Sequence, residues 1–338
     1  MKRTISFVLL LLLLVGLFSC NTQDQEPVVR QDFALATVVK ITLRDHGSEE
    51  LMDQLFARLR EIEARMSTSE EGSDIYKLNH AKGEPVEVHE DTYYVIQKAK
   101  EYFELTGGFF DPSIGRVVDL WKIGSEDARI PSADEIKEAL TSVDGSQIEL
   151  LPDQKVRIPQ GMMLDLGAIA KGYAADEEAN MAREHGVSSA IFDLGGNVLA
   201  LGNKDGKDFR IGIQEPFSDI QRGVPFAILS LSDATVVTSG DYERFFEEDG
   251  KRYHHILDYR TGYPVENDLA SVSIITSSSI EADALSTAIY AMGAEKGKAF
   301  IESREELEAI FVTRDKRVIV TEGLLENFLL EDSSYYRE

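Results

Sequence analysis

Cysteine is almost absent from this chain of 338 residues, since Cys20 is the only one. A single cysteine excludes an internal disulfide and leaves no basis for a cysteine-rich zinc site. Positive charge is also scarce: 35 Lys and Arg face 60 Asp and Glu, and the net charge is −25. This charge argues against nucleic-acid binding and against non-specific adhesion to anionic lipid. It also repels a phosphate-bearing ligand, unless local cations or a metal offset it.

Several common catalytic motifs are missing. The chain has no G-x-G-x-x-G and no G-x-x-x-x-G-K-[ST], so neither a Rossmann site nor a P-loop is supported. It has no Gly-x-Ser-x-Gly elbow, which argues against an ordinary serine hydrolase. The adjacent His254 and His255 do not predict a zinc site, because neighbouring strand residues point to opposite faces and no third histidine is suitably spaced. We expect one of them to face a cleft and the other to be structural or exposed.

The N-terminus has the features of an export signal. Met1-Lys2-Arg3 precedes an apolar run from Phe7 to Phe18, and a helix of about twelve residues, at ~1.5 Å per residue, is too short to cross a bilayer. Cys20 resembles the lipidated first residue of a mature bacterial lipoprotein, and a simple signal cleaved elsewhere is the weaker alternative. We therefore expect a lipoprotein signal peptide over 1–19, a lipid-anchored tether over 20–31 and a globular domain over 32–338.

Hydrophobic periodicity predicts an α+β fold. Apolar residues from Leu51 to Met66 recur at helical spacing, and further helices are predicted over Asp91–Thr106, after the capping box at Ser132, after Gly167 up to His185-Gly186, and over Ser279–Met292. Strands are predicted over 33–43, 189–193, 197–201, 209–214, 226–238, 253–258 and 269–277, with hairpins over 146–159 and around 314–317. Because helices and strands come in uneven blocks, we predict mixed, largely antiparallel sheets with packed helices.

The segment from Asp165 to Asp176 is a candidate anion-binding turn. It combines a carboxylate, a glycine-bearing turn, Lys171 and a second glycine where an alanine-rich helix is predicted to begin. Amides at a helix start favour anions, glycines let a ligand approach the main chain, and a lysine adds positive charge. Taken alone, the segment is better explained as a tightly packed strand-to-helix turn.

Asp283 and Thr287 are candidate metal ligands. Their spacing of four in a predicted helix places a carboxylate and a hydroxyl on one face, one turn apart. Two hard oxygen ligands so placed suit Mg²⁺, which waters, a carbonyl or a substrate phosphate would complete. The alternative is a surface aspartate beside a threonine that bonds back to its own helix. Since the helix is mostly apolar, we expect Asp283 to meet little water and to need a partner.

Further glycine-rich or polar segments follow apolar strands. Residues 238–242 predict a turn that offers hydroxyls and amides, and Arg260 is either part of an ordinary hairpin turn or a phosphate contact. Gly195 and Gly196 imply either an unusual backbone or the close approach of something flat or charged.

Six islands follow one another along the chain: GGFFDPSIGRVVDLW (107–121), LDLGAIAKGYAAD (164–176), FDLGGNVLALG (192–202), TSGDYERFF (238–246), HHILDYRTGYPV (254–265) and EADALSTAIYAMG (281–293). In this order they resemble the ApbE family, the flavin transferases, over about residues 33 to 320. The resemblance implies a mixed α+β fold, FAD as substrate, Mg²⁺ as cofactor and a periplasmic or membrane-anchored position. It also implies transfer of the FMN half of FAD to a threonine hydroxyl, with release of AMP. The implied partners are flavin-acceptor proteins such as subunits of membrane redox complexes.

The same resemblance implies roles for individual residues. Asp283 and Thr287 would hold Mg²⁺ together with the main-chain carbonyl of Ala168, and Asp283 would help to deprotonate the attacking threonine. Leu35 lies in Leu35-Ala36-Thr37, where the family usually has Met-Gly-Thr near the cofactor. The other implied contacts with FAD are Phe109, Phe110, Asp111, Asp165, Lys171 and His255.

The chain departs from the family pattern at Ser69, where many members have a tyrosine next to the bound cofactor. A small polar residue removes an aromatic contact and would admit water as the nucleophile. One alternative is therefore an FAD pyrophosphatase that yields FMN and AMP; another is a non-catalytic FAD-binding lipoprotein, against which Asp283 and Thr287 argue. Residues 232–235 only partly resemble a flavin-acceptor motif, so we expect the chain to be the donor enzyme.

Overall fold

The computed structural model describes residues 26–217 and 224–338. The predicted signal peptide over 1–19 and the predicted lipidation site at Cys20 lie outside the described residues. The first strand includes residues 28–31, which the sequence assigned to the tether, so regular structure begins before residue 32. Within the described ranges, no helix combines the length and the apolar character that a membrane span requires.

The strands dominate the second half of the chain. In chain order they are β1 (Val28–Ala34), β2 (Thr37–Leu43), β3 (Val86–Glu87), β4 (Glu149–Leu151), β5 (Lys155–Arg157), β6 (Ala190–Leu194), β7 (Asn197–Leu201), β8 (Phe209–Gln214), β9 (Pro225–Leu231), β10 (Ala234–Gly240), β11 (Phe245–Glu248), β12 (Lys251–His254), β13 (Leu269–Thr276), β14 (Glu308–Thr313), β15 (Arg317–Val320), β16 (Phe328–Leu330) and β17 (Tyr336–Arg337).

The helices lie mainly in the first half and around residue 290. They are α1 (Glu49–Met66), α2 (Asp74–Asn79), α3 (Glu90–Thr106), α4 (Gly115–Trp121), α5 (Ala133–Leu140), α6 (Ala170–Glu184), α7 (Ser279–Met292) and α8 (Ala294–Glu302). Short 3-10 turns occupy Gly145–Gln147 and Glu322–Leu324.

A nine-stranded sheet in the order β1-β2-β6-β7-β10-β13-β14-β15-β17 forms the centre of the fold. Every neighbouring pair in it is antiparallel except β15 and β17. Strand β13 is buried at all eight positions. Ile274 packs into a core shared with α1, α6 and α7, whereas Ile275 packs into a second core shared with β8 and β9. Adjacent strand residues point to opposite faces, so the central sheet is covered on both sides.

The predicted α+β class is confirmed, and so are several helices with their end signals. Helix α3 ends at Gly107, which adopts the left-handed conformation with φ 64°. Helix α5 begins with the predicted capping box between Ser132 and Glu135. Helix α7 covers the predicted range and ends at Gly293. Helices α2, α4 and α8 were not predicted.

Three predicted strands had the wrong bounds. The segment 33–43 is a hairpin of β1 and β2, because Leu35 and Ala36 both turn the chain with positive φ, at 52° and 54°. No glycine, asparagine or proline marks that turn, so its sequence reads as continuous strand. The segment 226–238 is two strands separated by a turn at Asp233, with φ 47°. Only the start of 253–258 is strand, in the β11–β12 hairpin.

Glu178 of α6 is a fully buried carboxylic acid without a hydrogen-bond partner among the described residues. Burial raises its pKa well above the ordinary value, so the neutral form is favoured in the folded protein. Because the folded-state pKa lies above the unfolded value of about 4.3, the contribution of Glu178 to the free energy of unfolding is highest below that pH. It falls as the pH rises towards the folded-state pKa.

We therefore predict that Glu178→Gln raises the melting temperature more at pH 8 than at pH 5, by a few degrees, because glutamine never has to be kept neutral. The measurement is thermal unfolding followed by circular dichroism at both pH values. Glu184→Gln, at an exposed position near the end of the same helix, is the control. An equal change at the two pH values would contradict the assignment.

Candidate active site

One cavity of about 410 Å³ collects most of the predicted site residues. It lies between the β1–β2 turn with Ala36, the β6–β7 turn with Gly195, the start of α6 and the middle of α7. The predicted residues that line it are Phe109, Phe110, Asp111, Asp165, Ala168, Lys171, His255, Asp283 and Thr287. Leu35 and Ser69 are not among its lining residues; the neighbouring Ala36 and Thr37 are.

Asp283 is buried, with 4% exposure, so it is not a surface aspartate. Its Oδ2 accepts a hydrogen bond of 2.9 Å from the amide of Gly172. Gly172 is the third residue of α6, where main-chain amides have no partner within their own helix. The positive end of the α6 dipole also favours a carboxylate there. Lys171 Nζ lies 3.7 Å from the other oxygen, Oδ1.

Asp176 of α6 accepts hydrogen bonds from the start of α7, just as Asp283 of α7 accepts one from the start of α6. Its two carboxylate oxygens accept hydrogen bonds of 2.9 Å from the amides of Ser279 and Ile280, the first residues of α7. Burial raises the pKa of Asp176 to about 6, while the two amides favour the charged form. The pairs Gly172–Asp283 and Asp176–Ser279 show that α6 and α7 run antiparallel, and each helix supplies a carboxylate to the first turn of the other.

Close packing at Gly172 makes this exchange possible. A Cβ atom added there would lie 2.2 Å from the carbonyl oxygen of Ser279 and 2.7 Å from Asp283 Cβ. Both atoms are too close for any side chain to be tolerated without separating the helices. The second glycine of the predicted anion-binding turn is therefore required by helix packing.

The oxygen atoms available beside Asp283 suit a hard cation. Thr287 and Ala168 line the same cavity, and no hydrogen bond ties the Thr287 hydroxyl to another described residue, so it does not bond back to its own helix. Carboxylate, hydroxyl and carbonyl oxygens match the preference of Mg²⁺. Across residues 26–217 and 224–338, no three His, Cys, Asp or Glu side chains gather as a metal cluster. The three oxygen atoms fit a magnesium ion. Because the protein offers so few charged ligands here, water and substrate would complete the coordination.

The turn before α6 is fixed by Asp165. Its Oδ1 accepts a hydrogen bond of 2.7 Å from the Gly167 amide, and its own amide donates to the carbonyl of Pro112. Gly115 packs against the main chain of Met163, since an added Cβ would lie 2.7 Å from that carbonyl oxygen. These contacts bring the islands 107–121 and 164–176 together at one wall of the cavity.

Asp111 lines the cavity, but its carboxylate is bound by its own loop. Oδ1 accepts hydrogen bonds from the amide and hydroxyl of Ser113, and Oδ2 accepts one from the Gly145 amide. Burial raises the pKa of Asp111. In this conformation its carboxylate holds the loop that presents Phe109 and Phe110.

The two histidines have different environments. His254 is buried and donates from Nε2 to the Val265 carbonyl, while its Nδ1 accepts from the Ile256 amide. His255 lines the cavity, with Nδ1 3.3 Å from the carbonyl oxygen of Arg244. Burial, followed by the charge of Arg244, lowers the pKa of His255 to about 3. The ring is therefore neutral near pH 7, and an Nδ1 proton shared with the carbonyl leaves Nε2 as an acceptor.

Aromatic rings stand near one wall of the cavity. Phe109 and Tyr259 meet edge to face at 6.0 Å, and the Arg260 guanidinium lies 5.4 Å from the Phe109 ring. Arg260 is also paired with Asp258 at 2.7 Å and is not a lining residue. It acts in this structure as part of the hairpin turn and not as a cation of the cavity.

The two glycines at 195 and 196 have a structural explanation. They form the two-residue turn between β6 and β7, with φ 70° and 96°, as this type of hairpin requires. Thr37 fills the space beside Gly195, since an added Cβ would lie 2.2 Å from its Oγ1. The unusual backbone, one of the two expected explanations, is therefore present.

Sequence reasoning missed Arg244 and Glu243 as cavity residues. Both belong to the island 238–246, where an arginine within an acidic stretch was the available signal. In the described part of the chain, the charged lining comprises the cations Lys171 and Arg244 and the carboxylates Asp111, Asp165, Glu243 and Asp283. Carboxylates therefore outnumber cations at this cavity, as they do in the whole chain.

Comparisons with known proteins agree on one family. A family model described as the ApbE family matches residues 35–311. The chain is 38% identical over 304 residues to a FAD:protein FMN transferase of Treponema pallidum, covering 85% of this chain and 83% of that protein. It is 36% identical to one of Klebsiella pneumoniae, covering 89% and 94%. The crystal structure of an ApbE protein from Thermotoga maritima superposes with a TM-score of 0.82 at 33% identity, covering 91% of this chain and 100% of that one.

We predict that Gly172→Ala separates α6 from α7 and displaces Asp283, because main-chain atoms surround the added methyl group. The variant should lose about 2 kcal/mol or more of stability, measured by denaturant unfolding, and should no longer bind Mg²⁺ in calorimetry. Gly72→Ala is the matched control, since nothing lies within 4 Å of its added Cβ. Wild-type stability and Mg²⁺ binding in Gly172→Ala would show that the close contact is not required.

Proposed function

Because this chain belongs to the ApbE family, we propose that it is a phosphorus-group transferase that moves FMN from FAD to the threonine hydroxyl of a partner protein. The observation that carries the proposal is the meeting of Asp283, Thr287, Ala168 and Lys171 in one cavity at the start of α6. Three hard oxygen atoms beside an ammonium group are suited to a metal and a diphosphate.

The acidity of the cavity supports the need for a metal. A diphosphate placed among four carboxylates and two cations is repelled unless more positive charge is supplied. Mg²⁺, when bound, would neutralise charge on the diphosphate during transfer. Asp283, Thr287 and the Ala168 carbonyl would hold the ion. The amide of Gly172 keeps Asp283 in a fixed orientation.

The proposed reaction replaces the phosphoanhydride bond of FAD with a phosphoester bond to threonine. The threonine oxygen forms a bond to the phosphorus of the FMN half, the bond from this phosphorus to the AMP oxygen breaks, and AMP leaves with that oxygen. The hydroxyl proton passes to Asp283, whose Oδ1 is not held by a main-chain amide. Lys171, 3.7 Å from this oxygen, would contact the diphosphate.

The remaining contacts would position the cofactor. Phe109 and Phe110 offer aromatic surface, Asp165 lies on the turn before α6, and neutral His255 offers an acceptor nitrogen. The FAD pyrophosphatase remains the competing activity, since it needs the same metal and leaving group and differs only in using water as nucleophile.

We further propose that the protein is a lipoprotein anchored through Cys20 at the extracytoplasmic face of a bacterial membrane. The support is the basic start, the short apolar run and the position of the only cysteine directly after Ser19. A lipid anchor would place the enzyme beside membrane-bound acceptors. The acidic chain needs such an anchor for this, because it has no electrostatic attraction to anionic lipid.

The first test combines FAD, Mg²⁺ and a peptide that carries a flavin-acceptor threonine. We predict that the peptide gains the mass of one esterified FMN and that AMP appears in equal amount. Asp283→Asn should lower AMP release by at least about 100-fold, because the metal loses its only carboxylate ligand. Mass spectrometry and chromatography of the nucleotides provide the measurement.

Two controls make this test decisive. A peptide with valine in place of the threonine should not be labelled, and Glu281→Gln, on the same helix but outside the cavity lining, should retain full activity. Equal FMN release with and without acceptor would favour the pyrophosphatase. Tight FAD binding without AMP release would favour the non-catalytic lipoprotein. Undiminished turnover by Asp283→Asn would remove the metal assignment.

For the anchor, we predict that the wild-type protein, expressed in bacteria, incorporates labelled palmitate and partitions into detergent, because acyl chains on Cys20 bury their methylene groups. Cys20→Ser should remain unlabelled and aqueous, whereas the neighbouring Ser19→Ala should behave as wild type. An unlabelled wild-type protein would instead favour a simple signal cleaved elsewhere.

A further inference from the structure

We infer that Asp176 is a positioning residue of the metal site, which fixes the start of α7 and thereby the place of Asp283. This inference rests on the proposed function, since it concerns how the chain prepares a site for the proposed metal. Asp176 does not line the active-site cavity, so it has no contact with substrate or metal in the proposed reaction. Its effect must pass through the helix that it holds.

The start of α7 has no cap of its own. Ser278 occupies the N-cap position, but its side chain forms no capping hydrogen bond. The carboxylate of Asp176 replaces it, with one oxygen on the Ser279 amide and the other on the Ile280 amide, each at 2.9 Å. Both donors are first-turn amides, which otherwise lack a partner. A carboxylate at this position also interacts favourably with the helix dipole.

Asp176 lies one helical turn after Gly172 on α6, and Asp283 lies one turn after Ser279 on α7. The two helices are therefore joined by hydrogen bonds at two places, one turn apart. The Gly172 amide donates to Asp283, and the Ser279 amide donates to Asp176. Without the Asp176 contact, the Gly172 hydrogen bond and the Lys171–Asp283 ion pair are the remaining polar contacts between α6 and α7 in the described residues. Rotation or translation of α7 would then move Asp283 relative to Ala168, which precedes α6.

The side of α7 that faces the sheet cannot replace this contact. Ser279 Oγ donates to Asn197 Oδ1 at 2.8 Å, and Ser286 Oγ lies 2.9 Å from Ser239 Oγ. These bonds set the distance of α7 from β7 and β10, but they do not connect it to α6. Asp176 is thus the side chain of α6 that binds the start of α7, the helix that carries Asp283 and Thr287.

The experiment compares Asp176→Asn and Asp176→Ala with wild type. Asparagine keeps the shape and one acceptor oxygen, whereas alanine removes both acceptors. Binding of Mn²⁺ is counted by EPR in the presence of ADP, which supplies a diphosphate without a flavin. We expect the metal dissociation constant to rise about 10-fold for the asparagine variant and towards about 100-fold for alanine, the range found when groups that orient a metal ligand are removed. AMP release from FAD should recover at high Mg²⁺.

Ser48→Ala is the matched control. Ser48 Oγ caps α1 by accepting from the Leu51 amide at 3.1 Å. It lies at the end of the β1–β2 hairpin opposite the turn that reaches the cavity. The control removes a helix cap of similar kind and should leave metal affinity unchanged. Circular dichroism spectra establish that each variant is folded.

The possible outcomes distinguish the positioning role of Asp176 from the proposed metal site itself. Graded loss of metal affinity in the Asp176 variants alone supports the positioning role. Wild-type metal affinity in both variants overturns it while leaving the proposed function intact. An equal loss in Ser48→Ala also overturns it, because the effect would then follow from general loss of stability. A wild-type protein that binds no Mn²⁺ overturns the metal site itself, and with it the proposed mechanism.

Discussion

The antiparallel contact between α6 and α7 is the constraint on which the active site depends. Because Gly172 has no side chain, the two helices approach closely enough for the Gly172 amide to bind Asp283 and for Asp176 to bind the first amides of α7. Helix α6 also follows directly from the turn that carries Ala168, and Lys171 is its second residue. One packing contact therefore sets the relation between Ala168 and the other two candidate metal ligands, Asp283 and Thr287, which lie more than a hundred residues later in the chain.

Two buried aspartates differ in the groups that bind their carboxylates. Asp91 is enclosed by Arg58, Arg65 and Tyr173; although burial opposes ionisation, their hydrogen bonds hold its pKa low and satisfy it completely. Asp283 is slightly more buried, with 4% exposure against 6% for Asp91, but it has one amide on Oδ2 and an ammonium only at 3.7 Å from Oδ1. A neutral main-chain donor orients the carboxylate without cancelling its charge, so that charge stays available to a cation.

Local signals in the sequence predicted local structure well. Gly107 ends α3 and Ser132 begins α5 because caps depend on residues within one turn. The β1–β2 turn was missed since Leu35 and Ala36 adopt a conformation that their side chains disfavour. The bonds of Asp176 were missed for a different reason: its partners are main-chain amides, which leave no pattern of residue types. The family resemblance predicted that the islands meet in one cavity. The hydrogen bond from the Asp165 amide to the Pro112 carbonyl could not be predicted, because it depends on tertiary structure alone.

Two positions at which the chain departs from the family pattern, Leu35 and Ser69, lie outside the cavity lining, whereas Ala36, which stands where the family usually has glycine, lines it. Leu35 belongs to the β1–β2 turn, whose Ala36 amide donates to Glu63 of α1, and Ser69 is exposed just beyond the end of the same helix. Asp283, Gly172 and Lys171 are connected to one another and not to this region. Breaking a diphosphate requires charge neutralisation at the phosphates, whereas the choice between an acceptor hydroxyl and water depends on what reaches them. In the proposed reaction, the changes at Leu35 and Ser69 therefore bear on the choice of nucleophile, while the contacts of Asp283 with Gly172 and Lys171 are kept.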